Sequence, residues 1–169
     1  MTLYVVIGPP AAGKSTWCQA HATPADIIID YDRIASALTA RRDAGHDHTP
    51  AVKAVTKAAR RAAIDTAIQH AREVDVYLIH STPSPTLLAS YRALGARVVT
   101  IDPGREIVMR RVKAERPWRM QQVVKQWYEQ RPELVRGAPP PTGPESKPSQ
   151  VRSQLPTGNT LDWHPRSKI

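Results

Sequence analysis

The sequence predicts an α/β fold, a three-layer α/β/α sandwich around a parallel sheet of about four to five strands. Two observations predict it. The segment Gly8-Pro9-Pro10-Ala11-Ala12-Gly13-Lys14-Ser15 sits between an apolar run, Leu3–Ile7, and a helical segment that starts near Thr16. Beyond it, short apolar runs alternate with helical stretches as far as about residue 136. Strands separated by helices pair in parallel, and right-handed crossovers then cover both faces of the sheet.

Each element has its own signal. Leu3–Ile7 is the first strand. Asp26-Ile27-Ile28-Ile29 is the second, ending at Asp30, and a short helix follows through Arg33–Leu38. Arg41 to Pro50 is polar and contains Gly45, which marks a loop. Ala51 to Glu73 is a long Ala-rich helix, with Val52, Val55, Ala59, Ala63 and Ala67 at helical spacing. Val74–Ile79 is the third strand, ending at His80-Ser81-Thr82-Pro83. Pro85–Leu94 is a helix stopped by Gly95. Arg97–Ile101 is the fourth strand, Pro103-Gly104 a turn, and Arg105–Glu115 a helix. Pro117 breaks that helix, and a last one runs from Arg119 to Gln130. The domain is therefore expected over residues 1–136. From Gly137 the chain is rich in Pro, Gly and Ser, too poor in apolar surface to offset ordering entropy, so 137–169 is expected to be a flexible tail.

The 169 residues suffice for one domain with a real core. Phe is absent and aromatics are few, so that core must be built mainly from Val, Ile, Leu and Ala. One cysteine, Cys18, excludes an intramolecular disulfide and reads as a small packing residue. No secretory signal and no membrane-spanning run is visible, which predicts a soluble, cytoplasmic protein. The formal net charge is +9. That favours a polyanionic partner such as nucleic acid; a generally basic, solubilising surface is the alternative. Lys53, Lys57, Arg60 and Arg61 on the long helix, with Arg41 and Arg42, read either as a track for a nucleic-acid backbone or as a wet helix face. The histidines show no zinc spacing with cysteines, so no transition metal is expected.

Gly8 to Ser15 fits the pattern G-x-x-x-x-G-K-[ST] at every fixed position. Gly8, Pro9, Pro10, Ala11, Ala12, Gly13, Lys14, Ser15 and Thr16 are the expected phosphate-binding residues. Gly8 and Gly13 let the backbone curl so that its N–H groups point inward at an anion, and the helix dipole adds to the same spot. Lys14 is expected to face water until phosphates arrive and then to reach the β- and γ-phosphates of ATP. The Ser15 hydroxyl is expected to ligate Mg²⁺.

In an open parallel sheet the site lies at the carboxyl ends of the strands. That rule selects Asp30 after the second strand and Ser81-Thr82 after the third. Asp30 is a candidate general base for an attacking hydroxyl; helix capping is the other reading of Asp30 and of Asp32. Arg33, one helical turn on, is a candidate for holding a substrate phosphate. The arginine-dense stretch Arg110–Arg119 beside a helix break reads as a basic lid over the γ-phosphate or as a solvated helix face.

Together these pieces resemble the 5′-kinase domains of phage polynucleotide kinases, within the adenylate-kinase-like P-loop kinases. The resemblance is carried by Gly8 to Trp17, Asp30-Tyr31-Asp32-Arg33, Val76–Ile79 with Ser81-Thr82, Leu94–Val99 and Arg105–Arg111. It implies an ATP- and Mg²⁺-dependent kinase acting on a nucleic-acid 5′-hydroxyl. In that family's terms Asp30 activates the hydroxyl, Arg33 binds the acceptor's 3′ phosphate, and Arg110 and Arg116 are the lid arginines. The family carries an aspartate at the end of strand three, where this chain has Ser81. A kinase for a nucleoside or nucleotide, and a nucleotide-binding regulatory or toxin-like module, are the competing readings.

Overall fold

Leu3–Ile7 forms β1, and all five of its residues are buried. A strand this apolar needs neighbours on both edges and cover on both faces. In the computed structural model, which describes residues 1–40, 48–116 and 118–130, it has all of these. The sheet order is β2-β3-β1-β4, with β2 at Ile27–Ile29, β3 at Val76–His80 and β4 at Arg97–Thr100, every pairing parallel. Val5 lies opposite Leu78 on one side and Val98 on the other. The helices are α1 (Lys14–His21), α2 (Tyr31–Leu38), α3 (Pro50–Gln69), α4 (Pro85–Ala93), α5 (Arg105–Glu115) and α6 (Arg119–Gln130). The expected α/β sandwich is thus the observed one. The expected tail at 137–169, the domain end at 136, and Arg41, Arg42, His46 and Pro117 lie outside the described residues.

The alternation of side chains along β1 builds two cores at once. Leu3, Val5 and Ile7 point to the face covered by Ile64 and Ala67 of α3 and by Leu88 and Tyr91 of α4. Tyr4 and Val6 point the other way and pack with Tyr77, Ile79 and Cys18 of α1. Full burial of a Val or Leu is worth roughly 1.5–3 kcal/mol, so these two layers hold the sheet. Cys18 is fully buried, and burial pushes its thiol up to about 12, which suits the packing role. A third cluster joins α5 and α6 through Val108, Val112, Val124, Trp127 and Tyr128, and it reaches Ala12 of the loop after β1.

Local chemistry sets the helix starts. Thr49 caps α3 by accepting from the Val52 N–H, and Ser84 caps α4 by accepting from the Leu87 N–H, each with a proline at the first helical position. The apolar stripe of α3 differs from the expected one. Of the expected positions, Ala67 is buried and Ala63 packs against the same core, whereas Val55 is 54 % exposed; Thr56 and Ile64 are buried as well. The inward stripe is thus rotated from Val55 toward Thr56, because alanines suit either face of a helix and leave the rotation open.

Two tethers fix the carboxyl end of the sheet. Trp127 Nε1 of α6 donates to the Ser81 carbonyl at 3.1 Å. The Tyr128 hydroxyl donates to Asp102 Oδ1, just past β4, at 2.6 Å. α6 therefore braces the loops that follow β3 and β4.

Candidate active site

A cavity of about 1010 Å³ opens at the carboxyl ends of the strands. The loop after β1 forms its floor. Gly8 has φ +152°, and a Cβ there would stand 2.1 Å from the Ile101 carbonyl oxygen. Gly8 is thus required by the close pass of the chain beyond β4. Gly13, at φ +96°, is the N-cap of α1 and supplies no side-chain cap. The N–H groups of the first turn of α1 therefore donate to no capping side chain, an arrangement suited to an anion. Ala11 is held at φ 61°, in the left-handed region, at a cost of roughly 1–2 kcal/mol. Its carbonyl accepts from Arg111 Nη1 at 3.3 Å.

Lys14 departs from expectation. It is buried at 8 % exposure, and its Nζ donates to the carbonyls of Gly8 at 3.0 Å and Pro9 at 2.8 Å. Burial pulls its pKa down to about 8, against the opposing pull of Asp30. The ammonium finds its acceptors in the curled loop itself, so it need not face water. It still lines the cavity, as do Pro10, Ala11, Ala12, Gly13, Ser15 and Thr16. Gly8 and Pro9 contribute through the carbonyls that hold Lys14.

Asp30 follows directly on β2, buried at 7 % exposure. Its two oxygens do different work. Oδ1 accepts from the Asp32 N–H at 3.0 Å and caps α2; Oδ2 accepts from Ser15 Oγ at 2.5 Å. The capping reading of Asp30 thus holds for Oδ1, while Oδ2 faces the loop. Asp32 pairs with Arg116 Nη1 at 3.2 Å. Ser81 and Thr82 line the opposite wall.

Two predicted residues stand elsewhere. Arg33 is exposed on α2 and does not line the cavity. Arg110 is exposed on α5 and also lies outside it, while Arg111 and Arg116 line it. The buried stripe of α5 is Val108 and Val112, and the i, i+4 pair Arg111 and Glu115 flanks it on the cavity side. Three further residues line the cavity that the sequence does not mark out for it, Arg60 being legible only as part of the basic stripe. Arg60 of α3 lines the cavity, its Nη2 donating to the Ile79 carbonyl at 2.7 Å. Trp17 and His21 of α1, stacked with ring centroids 4.0 Å apart, form another wall.

The donor set fits a nucleotide with Mg²⁺. The N–H groups at the start of α1 and the Lys14 ammonium suit phosphates. The Ser15 hydroxyl beside the Asp30 carboxylate offers hard oxygens, as Mg²⁺ prefers. Among the described residues no cluster of three His, Cys, Asp or Glu forms a protein cage for a metal. Mg²⁺ here would be held by Ser15 together with phosphate oxygens.

A family model described as an AAA domain matches residues 3–134 of the chain. The chain belongs to this AAA-domain family. The match spans every strand and helix described above. The family is one of P-loop domains and includes kinases, so the coarse class is a nucleotide-binding, kinase-like domain. No curated protein matches the chain. No helix among the described residues of this AAA domain is long and apolar enough to cross a membrane.

Proposed function

We propose that the chain is an ATP- and Mg²⁺-dependent kinase that phosphorylates the 5′-hydroxyl of a nucleic acid. The observation that carries the reading is the Asp30 carboxylate, fixed by the Asp32 N–H and Ser15 Oγ on the same cavity as the phosphate loop. An acceptor hydroxyl in that cavity gives its proton to Asp30 Oδ2. Its oxygen bonds to the γ-phosphorus as the bond to the β-phosphate oxygen breaks, and ADP leaves. Lys14 and the N–H groups of α1 hold the phosphates. Arg111 and Arg116, which line the same cavity, would neutralise the charge that builds on the transferring group. When bound, Mg²⁺ supplies charge neutralisation at the phosphate oxygens. The formal charge of +9 favours a polyanionic acceptor. A nucleoside or nucleotide acceptor is the second reading, favoured by Arg33 standing exposed outside the cavity.

The test is incubation with γ-labelled ATP, 5′-hydroxyl oligonucleotides and nucleosides. Label on the oligonucleotides, lost by at least 100-fold in Lys14→Ala, is expected. Label only on nucleosides would select the second reading. Lys14→Ala activity within tenfold of wild type would remove the loop from the mechanism.

A further inference from the structure

Arg116 is the residue at which α5 ends, and its backbone there is extended. Its guanidinium reaches the first turn of α2, 84 residues earlier, where Nη1 donates to Asp32 Oδ2 at 3.2 Å. Both residues line the cavity. The pair differs from Arg61–Asp65, which lies one turn apart on the exposed face of α3. The Arg116 side chain is 19 % exposed and that of Asp32 42 %. A second donor of Arg116, Nε, is buried with no hydrogen-bond partner among the described residues.

Fixing an arginine side chain costs much rotamer freedom, and a partly exposed ion pair returns little stability for it. The buried Nε makes the arrangement worse, because a buried donor without an acceptor costs free energy. Stability therefore does not explain this pair. Capping does not explain Asp32 either, because the α2 cap is Asp30. The arrangement makes sense if Nε is kept for a ligand oxygen. Its place says which ligand. Lys14 of the phosphate loop is pulled down to about 8 chiefly by burial; Asp30 opposes that fall, and the Arg116 charge adds to it. Two cations close enough to repel are both stabilised by an anion bound between them. Asp32 stands two residues from Asp30, so it holds Arg116 on the side of the loop where a terminal phosphate must lie to reach a hydroxyl at Asp30.

We propose that Asp32 is a positioning residue: it holds one arm of the Arg116 guanidinium so that Nε meets the terminal phosphate of a bound nucleoside triphosphate. Asp32 thereby makes the cavity prefer a triphosphate to a diphosphate. That the phosphate is then transferred rests on the kinase reading above; the preference for the triphosphate does not.

Calorimetry in the presence of Mg²⁺ tests this with two probes, a non-hydrolysable ATP analogue and ADP. The proteins are wild type, Asp32→Asn, Arg116→Ala and the double variant. Wild type is expected to bind the analogue more tightly than ADP. Asp32→Asn should weaken the analogue by about fivefold or more and ADP by less than about twofold. In the Arg116→Ala background the same substitution should weaken neither probe, because Asp32 acts through Arg116. Asp32→Glu keeps the carboxylate on a longer stem and should recover part of the loss. Removing a favourable charge from the start of α2 would by itself lower thermal stability and leave the ratio of the two affinities where it was. If Asp32→Asn does not fold, Asp32→Ser takes its place with the same expectations. Four results would overturn the proposal: equal binding of the two probes by wild type, an unchanged ratio in the folded variant, tighter binding of the analogue by that variant, or an equal loss in the Arg116→Ala background. Label transfer is read in parallel. Transfer by wild type with an unchanged ratio in Asp32→Asn sinks this role alone. A changed ratio without transfer by wild type to any acceptor sinks the kinase reading alone.

Discussion

Ser15 Oγ donates to Asp30 Oδ2 across 2.5 Å, joining the last fixed position of the phosphate loop to the carboxylate at the end of β2. The two residues are fifteen apart in sequence and meet because β1 and β2 run parallel and end at the same edge. The contact does two things. It holds the Asp30 carboxylate in one rotamer, and it occupies the oxygen that would take a proton.

Gly8 should tolerate no side chain. An added Cβ would meet the Ile101 carbonyl oxygen at 2.1 Å in a backbone conformation that L-residues rarely adopt. Gly8→Ala is expected to destabilise by on the order of 3 kcal/mol, a fall in Tm of about 8 °C for a domain of this size. Thermal unfolding followed by circular dichroism checks this, and an unchanged Tm would show that the chain after β4 yields easily.

The lid arginines can be ranked by substitution. Arg111 and Arg116 line the cavity and Arg110 does not. Arg111→Ala and Arg116→Ala should each lower turnover at saturating ATP by about 10–10³-fold. Arg110→Ala should stay within threefold of wild type. Steady-state kinetics on the three variants decides, and a larger loss in Arg110→Ala would mean that α5 turns as the nucleotide binds.

Acid should find His80. Its pKa in the folded chain is depressed to about 4 from 6.5, first by burial and then by Arg60. Above pH 6.5 it is neutral in both folded and unfolded chains and contributes nothing. Between 6.5 and 4 the unfolded chain takes a proton that the folded one refuses, so folding weakens as pH falls. The unfolding constant should rise by up to about tenfold per pH unit from this group. Urea denaturation of wild type and His80→Gln from pH 7 to 4 measures it. The variant should lose less stability; parallel profiles would contradict the depressed histidine.

Much of this was legible in the chain. The loop could be read because glycine, lysine and serine at fixed spacing between a strand and a helix have few other uses. Asp30 could be read because a strand end in a parallel sheet faces the site. The strand order could not, since Ile27–Ile29 and Val76–His80 are both short, largely apolar runs and only packing puts β3 between β2 and β1. Arg60 was hidden in a basic helix face. Its distinguishing mark was present: it lies four residues from Thr56 and four from Ile64, both buried, so it shares their stripe and turns inward. The alanines at 59 and 63 obscured that stripe. Lys14 was misjudged because sequence shows no backbone carbonyls, and those of Gly8 and Pro9 are what hold it.

Asp30→Asn tests the central claim most directly. Asparagine keeps the side-chain oxygen that caps α2, and it caps about as well as aspartate, so the fold should be intact. It cannot take a proton from an acceptor hydroxyl. ATP affinity should change little, because Lys14 and the start of α1 supply the phosphate contacts. Turnover at saturating ATP and acceptor should fall by about 10²–10⁴-fold. Turnover within a few-fold of wild type would contradict the account and leave Asp30 a helix cap alone.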